Sequence, residues 1–170
     1  MEARAWLDRF KQTRDIPKML PELVADQELL EEIMCVVQRQ ETYPYTEYAT
    51  WLLQHACKKH PKKIEPYLPL LVDVVLSSKN ESVLRNVMAC LYTLPHNAYR
   101  EGELLERLLA ILGNPAHKVA LHVYALYKLI DLVKTYPELK PEILQLTDRL
   151  MLTGGSPALH VAIRKFNTKT

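Results

Sequence analysis

The chain has 170 residues, a hydrophobic content of 48% and a formal net charge of +2. Its length fits one domain or one continuous repeat array, and its hydrophobic content predicts a folded protein with a substantial apolar interior. No run of about 18 to 20 uninterrupted apolar residues occurs, which excludes a membrane-spanning helix of ordinary length in this sequence.

Helices are the expected elements throughout, because the chain has only 4 glycines and its 11 prolines recur near expected helix starts. The segment 1–23 comes first, and its apolar stripe of Trp6, Leu7 and Phe10 predicts a cap on one end of the array. Helical pairs joined by short polar loops follow, and Asp26 is the expected N-cap of the first. The pairs span residues 26–60, 61–94, 102–134 and 137–166, with second helices at 46–60, 82–94, 118–134 and 157–166.

The second helices of the pairs share a repeated sequence pattern. The tetrapeptide Ala-Leu-His-Val occurs at 120–123 and again at 158–161, and a column of apolar residues aligns at a spacing of 36. Residues three and four apart share a helix face, so these columns predict a core stripe. The aligned residues are Val83, Val87, Cys90 and Leu94 in one helix and Val119, Val123, Leu126 and Ile130 in the next.

One hairpin of this size cannot bury its apolar face, so the hairpins must stack on one another. The sequence therefore predicts an all-α fold built as a right-handed α–α superhelix. This solenoid has about four helical hairpins and an N-terminal capping segment, and it forms a single domain over residues 1–170.

Two stretches of the second helices resemble the second helix of HEAT repeats: Glu-Ser-Val-Leu-Arg-Asn-Val-Met-Ala-Cys-Leu at 81–91 and Lys-Val-Ala-Leu-His-Val-Tyr-Ala-Leu at 118–126. More narrowly, residues 48–56 and 136–142 are similar to small HEAT-like proteins of Bacteroidetes. The resemblance covers roughly residues 26–166, and only Arg85 matches the family's arginine position. It implies that the second helices line the inner, concave surface.

A polar column on the second helices supplies the candidate partner-binding residues. Thr50, Asn86 and His122 align at a spacing of 36, and the repeated tetrapeptide extends the column to His160 at a spacing of 38. Trp51 and Arg85 are possible anchors, since tryptophan and arginine often dominate interface energetics. The alternative is that the column residues cap or bond their own helices and meet no ligand. We expect a noncatalytic module that binds a protein or peptide, not a membrane, while the sequence leaves the oligomeric state open.

Catalytic, cofactor and metal sites are not expected. The sequence has no glycine-rich phosphate loop, no Gly-x-Ser-x-Gly, no His-Glu-x-x-His and no Cys-x-x-Cys. At about 100° per residue, His55 and Cys57 lie about 200° apart on a helix and cannot converge on one ion, whereas Cys57 and His60 share a face. The odd number of cysteines, Cys35, Cys57 and Cys90, predicts small core side chains in a reducing, cytoplasmic setting.

Nucleic-acid binding is the alternative function, because charge is unevenly distributed along the chain. Residues 1–57 carry a net charge of −4 and residues 58–170 carry +6. Some HEAT-like proteins resemble alkylpurine DNA glycosylases, which hold DNA on a basic concave surface, although no catalytic Asp of that family has a counterpart here. The residues that would supply such a surface are Trp51, Arg85, Lys118, Lys128, Arg164 and Lys165.

Overall fold

The computed structural model describes residues 3–170, and within that range all regular structure is helical. The prediction of an all-α protein is therefore confirmed. Contacts between the helices group the chain into two compact units, a first that ends at Pro95 and a second from His96 to Thr170.

Seven helices lie in the described part of the first unit, residues 3–95. They are α1 (Ala3–Thr13), α2 (Ile16–Ala25), α3 (Gln27–Arg39), α4 (Tyr45–Lys59), α5 (Pro61–Ile64), α6 (Leu68–Ser77) and α7 (Glu81–Thr93), and a 3-10 turn at Glu65–Tyr67 joins α5 to α6. The N-terminal segment was predicted only as a cap, but it is itself a helical pair. The break within it comes from Arg14, whose φ of 49° lies in the left-handed region and ends α1.

Side-chain caps explain why several of these helices begin where they do. The Asp15 carboxylate accepts the backbone N–H of Lys18, three residues on. Asp26 caps α3 in the same way, accepting the N–H of Leu29 at 3.0 Å, which confirms it as the N-cap. Short polar side chains at this position satisfy N–H groups that the helix leaves unpaired.

Helix α4 lies at the centre of the first unit and contacts α1, α2, α3 and α7. The predicted capping stripe of Trp6, Leu7 and Phe10 on α1 is buried, and the ring of Phe10 meets the rings of Tyr48 and Trp51 on α4 edge to face, at 5.6 and 5.5 Å between centroids. These aromatic contacts add to the apolar area that the two helices bury. The N-terminal pair therefore belongs to the core of the first unit.

The second unit consists of α8 (Glu101–Gly113), α9 (Val119–Thr135), α10 (Lys140–Leu152) and α11 (Pro157–Lys169), with a 3-10 turn at Pro137–Leu139 before α10. Helix α9 contacts both α8 and α11, and α10 contacts α8. The hydroxyl of Ser156 caps α11 by accepting the N–H of Leu159 at 3.2 Å. The core of this unit includes Leu104, Leu108, Ile111, Leu121, Ala125, Leu129, Ile143, Leu159, Ala162 and Phe166.

The predicted core stripe is correct in α7 but partly wrong in α9. Val119 is 36% exposed and Val123 is half-buried, whereas the other six residues of the column are buried. The helices follow a spacing of 38 instead of 36 at their starts, because the buried third residue is Val83 in α7, Leu121 in α9 and Leu159 in α11. Two extra residues turn a helix by about 200°, so at the start of α9 the spacing of 36 selects Val119 and Val123, which are the more exposed positions.

Candidate functional site

A buried polar seam joins the second helices α4 and α7. The hydroxyl of Thr50 donates to the carbonyl oxygen of Thr46 at 2.8 Å, and the side-chain amide of Asn86 donates to that hydroxyl at 3.2 Å. Both Thr50 and Asn86 are almost completely buried. The seam therefore satisfies polar groups inside the unit, and neither side chain can contact a partner.

Glu47 and Asn80 extend this seam at the start of the two helices. The side-chain nitrogen of Asn80 donates to one carboxylate oxygen of Glu47 at 2.6 Å, while its oxygen accepts the N–H of Ser82 and caps α7. The other carboxylate oxygen of Glu47 is enclosed and has no hydrogen-bond partner among the described residues. Arg85 lies at the outer edge, with its guanidinium 3.4 Å from the Asn86 oxygen. Asn86 thus connects the seam to an exposed cation.

The two histidines of the repeated tetrapeptide occupy opposite environments. His122 is 3% exposed, and its Nε2 lies 2.9 Å from the carbonyl oxygen of Asn114, in the loop before α9. His160 is exposed. Among the described residues, its ring forms no hydrogen bond like the one that His122 makes to the loop carbonyl. Of the predicted polar column only His160 faces solvent, and the interpretation of the other three as contact residues is wrong.

Trp51 lies on the side of α4 that is partly exposed to solvent, which we call the outward stripe of this helix. Trp51, His55 and Lys58 fall within about 60° of one another around the helix axis. The indole of Trp51 is half-buried between Phe10 and His55, whose ring centroids are 5.5 and 6.4 Å away. Its N–H has no acceptor in the part of the chain that the structure describes. The ring is therefore held in place while one polar group stays available.

The outward stripe of α7 runs parallel to that of α4 and carries Arg85, Ala89 and Tyr92. Arg85 is exposed, and among residues 3–170 it forms no ion pair with a carboxylate. Ala89, between these two larger residues, is buried and only 3% exposed. At the other side of α4, the Arg14 guanidinium lies over the ring of Tyr48, 5.4 Å from its centroid. We call the following set the Trp51 surface: Arg14, Trp51, His55, Lys58, Arg85, Ala89 and Tyr92.

The C-terminal half of the Trp51 surface is cationic. Lys58 and Lys59 are exposed and have no carboxylate at ion-pair distance among the described residues. Burial lowers the pKa of His55, and the positive charges of these two lysines lower it further. The carboxylates of the two stripes, Glu47 and Glu81, lie at the opposite end, in the first turns of α4 and α7.

Several cations predicted for a nucleic-acid surface are engaged within the second unit. Lys128 is only 4% exposed, and its ammonium lies 3.8 Å from the carboxylate of Asp131. Burial lowers the pKa of Lys128, and Asp131 opposes this shift. The ammonium of Lys165 lies over the ring of Tyr127, 4.4 Å from its centroid. This arrangement leaves fewer free charges for phosphate than the sequence suggested.

Two of the three cysteines lie in the environment that the sequence predicts. Cys57 and Cys90 are buried as predicted, but Cys35 is exposed. Burial, together with the neighbouring thiol of Cys57, raises the pKa of the Cys90 thiol.

Across residues 3–170, no group of three or more His, Cys, Asp and Glu side chains is arranged to hold a metal ion. No helix in the same range has the length and apolar character needed to cross a membrane.

The sequence analysis named Trp51 and Arg85 as candidates but not the other five residues of the Trp51 surface, which are Arg14, His55, Lys58, Ala89 and Tyr92. His55 and Lys58 follow Trp51 at spacings of four and seven, which is a signal for a shared helix face that the sequence does contain. Arg14 carries no such signal, since it reaches Tyr48 across 34 residues of chain.

Comparisons with known proteins agree with this architecture. The family model described as HEAT repeat domain matches residues 3–170. Searches of the curated proteins and of the solved structures found no match. Because the family model spans nearly the whole chain and the helices form the repeated hairpins that it describes, the chain belongs to the HEAT repeat domain family.

Proposed function

We propose that the chain is a noncatalytic scaffold that binds a protein or peptide partner on the outward face of its second helices, at the Trp51 surface. The observation that carries the proposal is the half-exposed indole of Trp51 beside the exposed guanidinium of Arg85, on two helices that a buried polar seam joins. A seam of this kind holds the contact residues in place before binding, which lowers the entropy lost on association.

Residue chemistry supports a protein or peptide as the partner. Tryptophan, tyrosine and arginine are enriched among the residues that dominate binding energy, and Trp51, Tyr92 and Arg85 bring all three types to one surface. His160, exposed at the start of α11, remains a further candidate in the second unit. A cytoplasmic setting belongs to the proposal and is supported by the three free cysteines.

The proposal can be tested without knowing the partner, by selecting peptides from a random 12-residue library against the intact protein. Selected peptides should lose at least about tenfold in affinity for the Trp51→Ala and Arg85→Ala variants, because truncating a central tryptophan or arginine removes a large share of the binding energy. Titration calorimetry with the synthetic peptides measures the loss.

Matched controls are available on α3 and in the loop that follows it. Tyr43 is a strongly exposed aromatic residue and Arg39 an exposed arginine, and neither lies on a second helix. Tyr43→Ala and Arg39→Ala should change the affinity less than about twofold. If the library yields no binders, or if the control variants weaken binding as much as the surface variants, the proposal is wrong.

A further inference from the structure

We infer that the segment bound by the Trp51 surface is an acidic peptide, with carboxylates on either side of an apolar side chain. This inference rests on the proposed function and adds the chemical class of the partner. Its basis is the set of unneutralised cations around a half-exposed indole.

The positive charges on and beside the Trp51 surface favour an anionic partner. Arg85 and Lys58 stand on neighbouring helices, and Lys59 follows at the edge of the same turn. Among the described residues, none of these three has a carboxylate within ion-pair distance. The guanidinium of Arg14 lies over the ring of Tyr48 and donates to its hydroxyl, and within residues 3–170 it likewise forms no ion pair with a carboxylate. A carboxylate that meets an arginine or lysine here forms a charge-assisted hydrogen bond.

Helix geometry sets the spacing of the partner's charges. The Thr50–Asn86 bond places Arg85 level with Ala49 on α4, and Lys58 is nine residues beyond Ala49, about 13 to 14 Å further along that helix. The helix axes of neighbours are roughly 8 to 10 Å apart, so the backbones at Arg85 and Lys58 are separated by roughly 16 Å. Four residues of an extended peptide cover about 13 to 14 Å and bring both side chains to the same side, and the long side chains of Arg85 and Lys58 span the remainder. The expected ligand therefore carries two acidic residues four positions apart, with an apolar side chain between them that covers Trp51.

Two carboxylates argue against a nucleic acid at the same place. Glu47 and Glu81 lie on the outward stripes in the first turns of α4 and α7. They repel a continuous line of phosphates, whereas a short peptide that extends from Arg85 to Lys58 does not cover these first turns. The first unit as a whole has 12 Lys and Arg against 13 Asp and Glu, so it offers no broad positive field. Nucleic-acid affinity depends on many phosphate contacts, which this surface does not supply.

The test compares three fluorescently labelled 12-residue peptides that differ only in charge. One has glutamates four positions apart around a leucine, the second has glutamines in their place, and the third has lysines. By fluorescence anisotropy with the intact protein, the glutamate peptide should bind at least tenfold more tightly than the glutamine peptide. The difference should shrink between 50 and 300 mM salt, because exposed ion pairs are screened.

Charge reversal on the protein tests whether Arg85 and Lys58 cause the preference for the glutamate peptide. The double variant Arg85→Glu with Lys58→Glu should weaken the glutamate peptide at least tenfold and leave the glutamine peptide within about threefold. Lys62→Glu with Lys63→Glu is the matched control, since it makes the same change in net charge on the exposed face of α5 and should alter affinity less than threefold.

A fluorescence measurement tests contact with Trp51. Trp6→Phe leaves Trp51 as the only tryptophan, so protection from acrylamide quenching by a bound peptide reports directly on contact with that ring.

Each alternative outcome contradicts the inference. It is overturned if the glutamate peptide fails to bind, if the glutamine or lysine peptide binds equally well, or if a single-stranded oligonucleotide displaces the glutamate peptide at lower concentration. Library peptides that depend on Trp51 and Arg85 but show no preference for carboxylates would overturn the acidic class and leave the proposed function standing. A library without binders would reject both.

Discussion

At the scale of single residues, the side chain of Asn86 forms two hydrogen bonds, one as donor and one as acceptor. It donates to Thr50 across the α4–α7 seam and accepts from the exposed Arg85. We expect Asn86→Ala to lower the free energy of unfolding by about 1 to 3 kcal/mol, because it leaves buried polar groups unpaired. In a double-mutant cycle with Thr50→Val, the coupling energy should be about 0.5 to 1.5 kcal/mol. Urea unfolding of the wild type, the two single variants and the double variant measures this coupling energy. If the two losses of stability are additive, the Asn86–Thr50 hydrogen bond contributes nothing.

Lys128 gives a second prediction at this scale, one that depends on pH. Burial lowers its pKa below 10.5, so between that lowered value and 10.5 the unfolded chain binds more protons than the folded one. The resulting penalty is fully present at neutral pH and disappears as the pH approaches 10.5. Lys128→Met should therefore raise the free energy of unfolding at pH 7 by about 1 kcal/mol, since replacing a buried charge with an apolar group is often stabilising.

The gain from Lys128→Met should shrink when urea unfolding is repeated at pH 8.5 and 10. Lys134→Met serves as the control, because Lys134 is exposed and lies at the same 3.8 Å from Asp131. It should change stability by less than about 0.5 kcal/mol at every pH. A gain that stays constant with pH would mean that the stabilisation comes from packing and not from the buried charge.

At the scale of elements, the N-terminal helix α1 packs into the first unit through Phe10, which is buried against Tyr48 and Trp51. We expect Phe10→Ala to destabilise the protein by about 3 to 5 kcal/mol, as for other large aromatic side chains removed from a core. Lys11→Ala, one residue away and exposed, should cost less than about 0.5 kcal/mol. Equal, small losses in urea unfolding would mean that α1 is a dispensable cap.

Helix positions were predictable from the sequence because they depend on local signals. Apolar residues three and four apart placed the second helices to within a few residues, and Asp26 as an N-cap placed the start of α3. The surroundings of a side chain were less predictable, because they depend on what another segment places beside it. His122 and His160 have the same neighbours in sequence, but only His122 has a loop carbonyl next to its ring. Thr50 and Asn86 aligned correctly with each other, yet their alignment reflects a bond between them and not a shared outer surface.

The residues of the Trp51 surface were also only partly predictable from the sequence. Trp51 and Arg85 were identified by residue type, and His55 and Lys58 could have been found from their helical spacing. The sequence could not show that, within residues 3–170, Arg85 forms no ion pair with a carboxylate or that Arg14 lies over Tyr48, because both facts depend on distances between helices. Residue type alone pointed to Trp51 and Arg85, while the charges around them became visible only in the folded arrangement.

At the scale of the whole molecule, residues 94–100 form the longest non-helical stretch within residues 3–170, and they contain the boundary between the two compact units. Residues 95–100 are all exposed, and exposed segments with few backbone hydrogen bonds are preferred sites of proteolysis. We expect chymotrypsin to cut first after Tyr99. The more exposed Tyr43 precedes a proline, and chymotrypsin cleaves such bonds poorly.

The products of this first cut test whether residues 1–170 form a single domain, as the sequence predicted. Each compact unit has its own buried core, so fragments 1–99 and 100–170 should both keep helical circular dichroism after the cut. Mass spectrometry identifies the fragments, and Tyr99→Thr should delay the cut without changing stability by more than about 0.5 kcal/mol. Because neighbouring repeats stabilise one another, a repeat array that folds as one domain would instead lose helicity in at least one fragment as soon as the chain is cut.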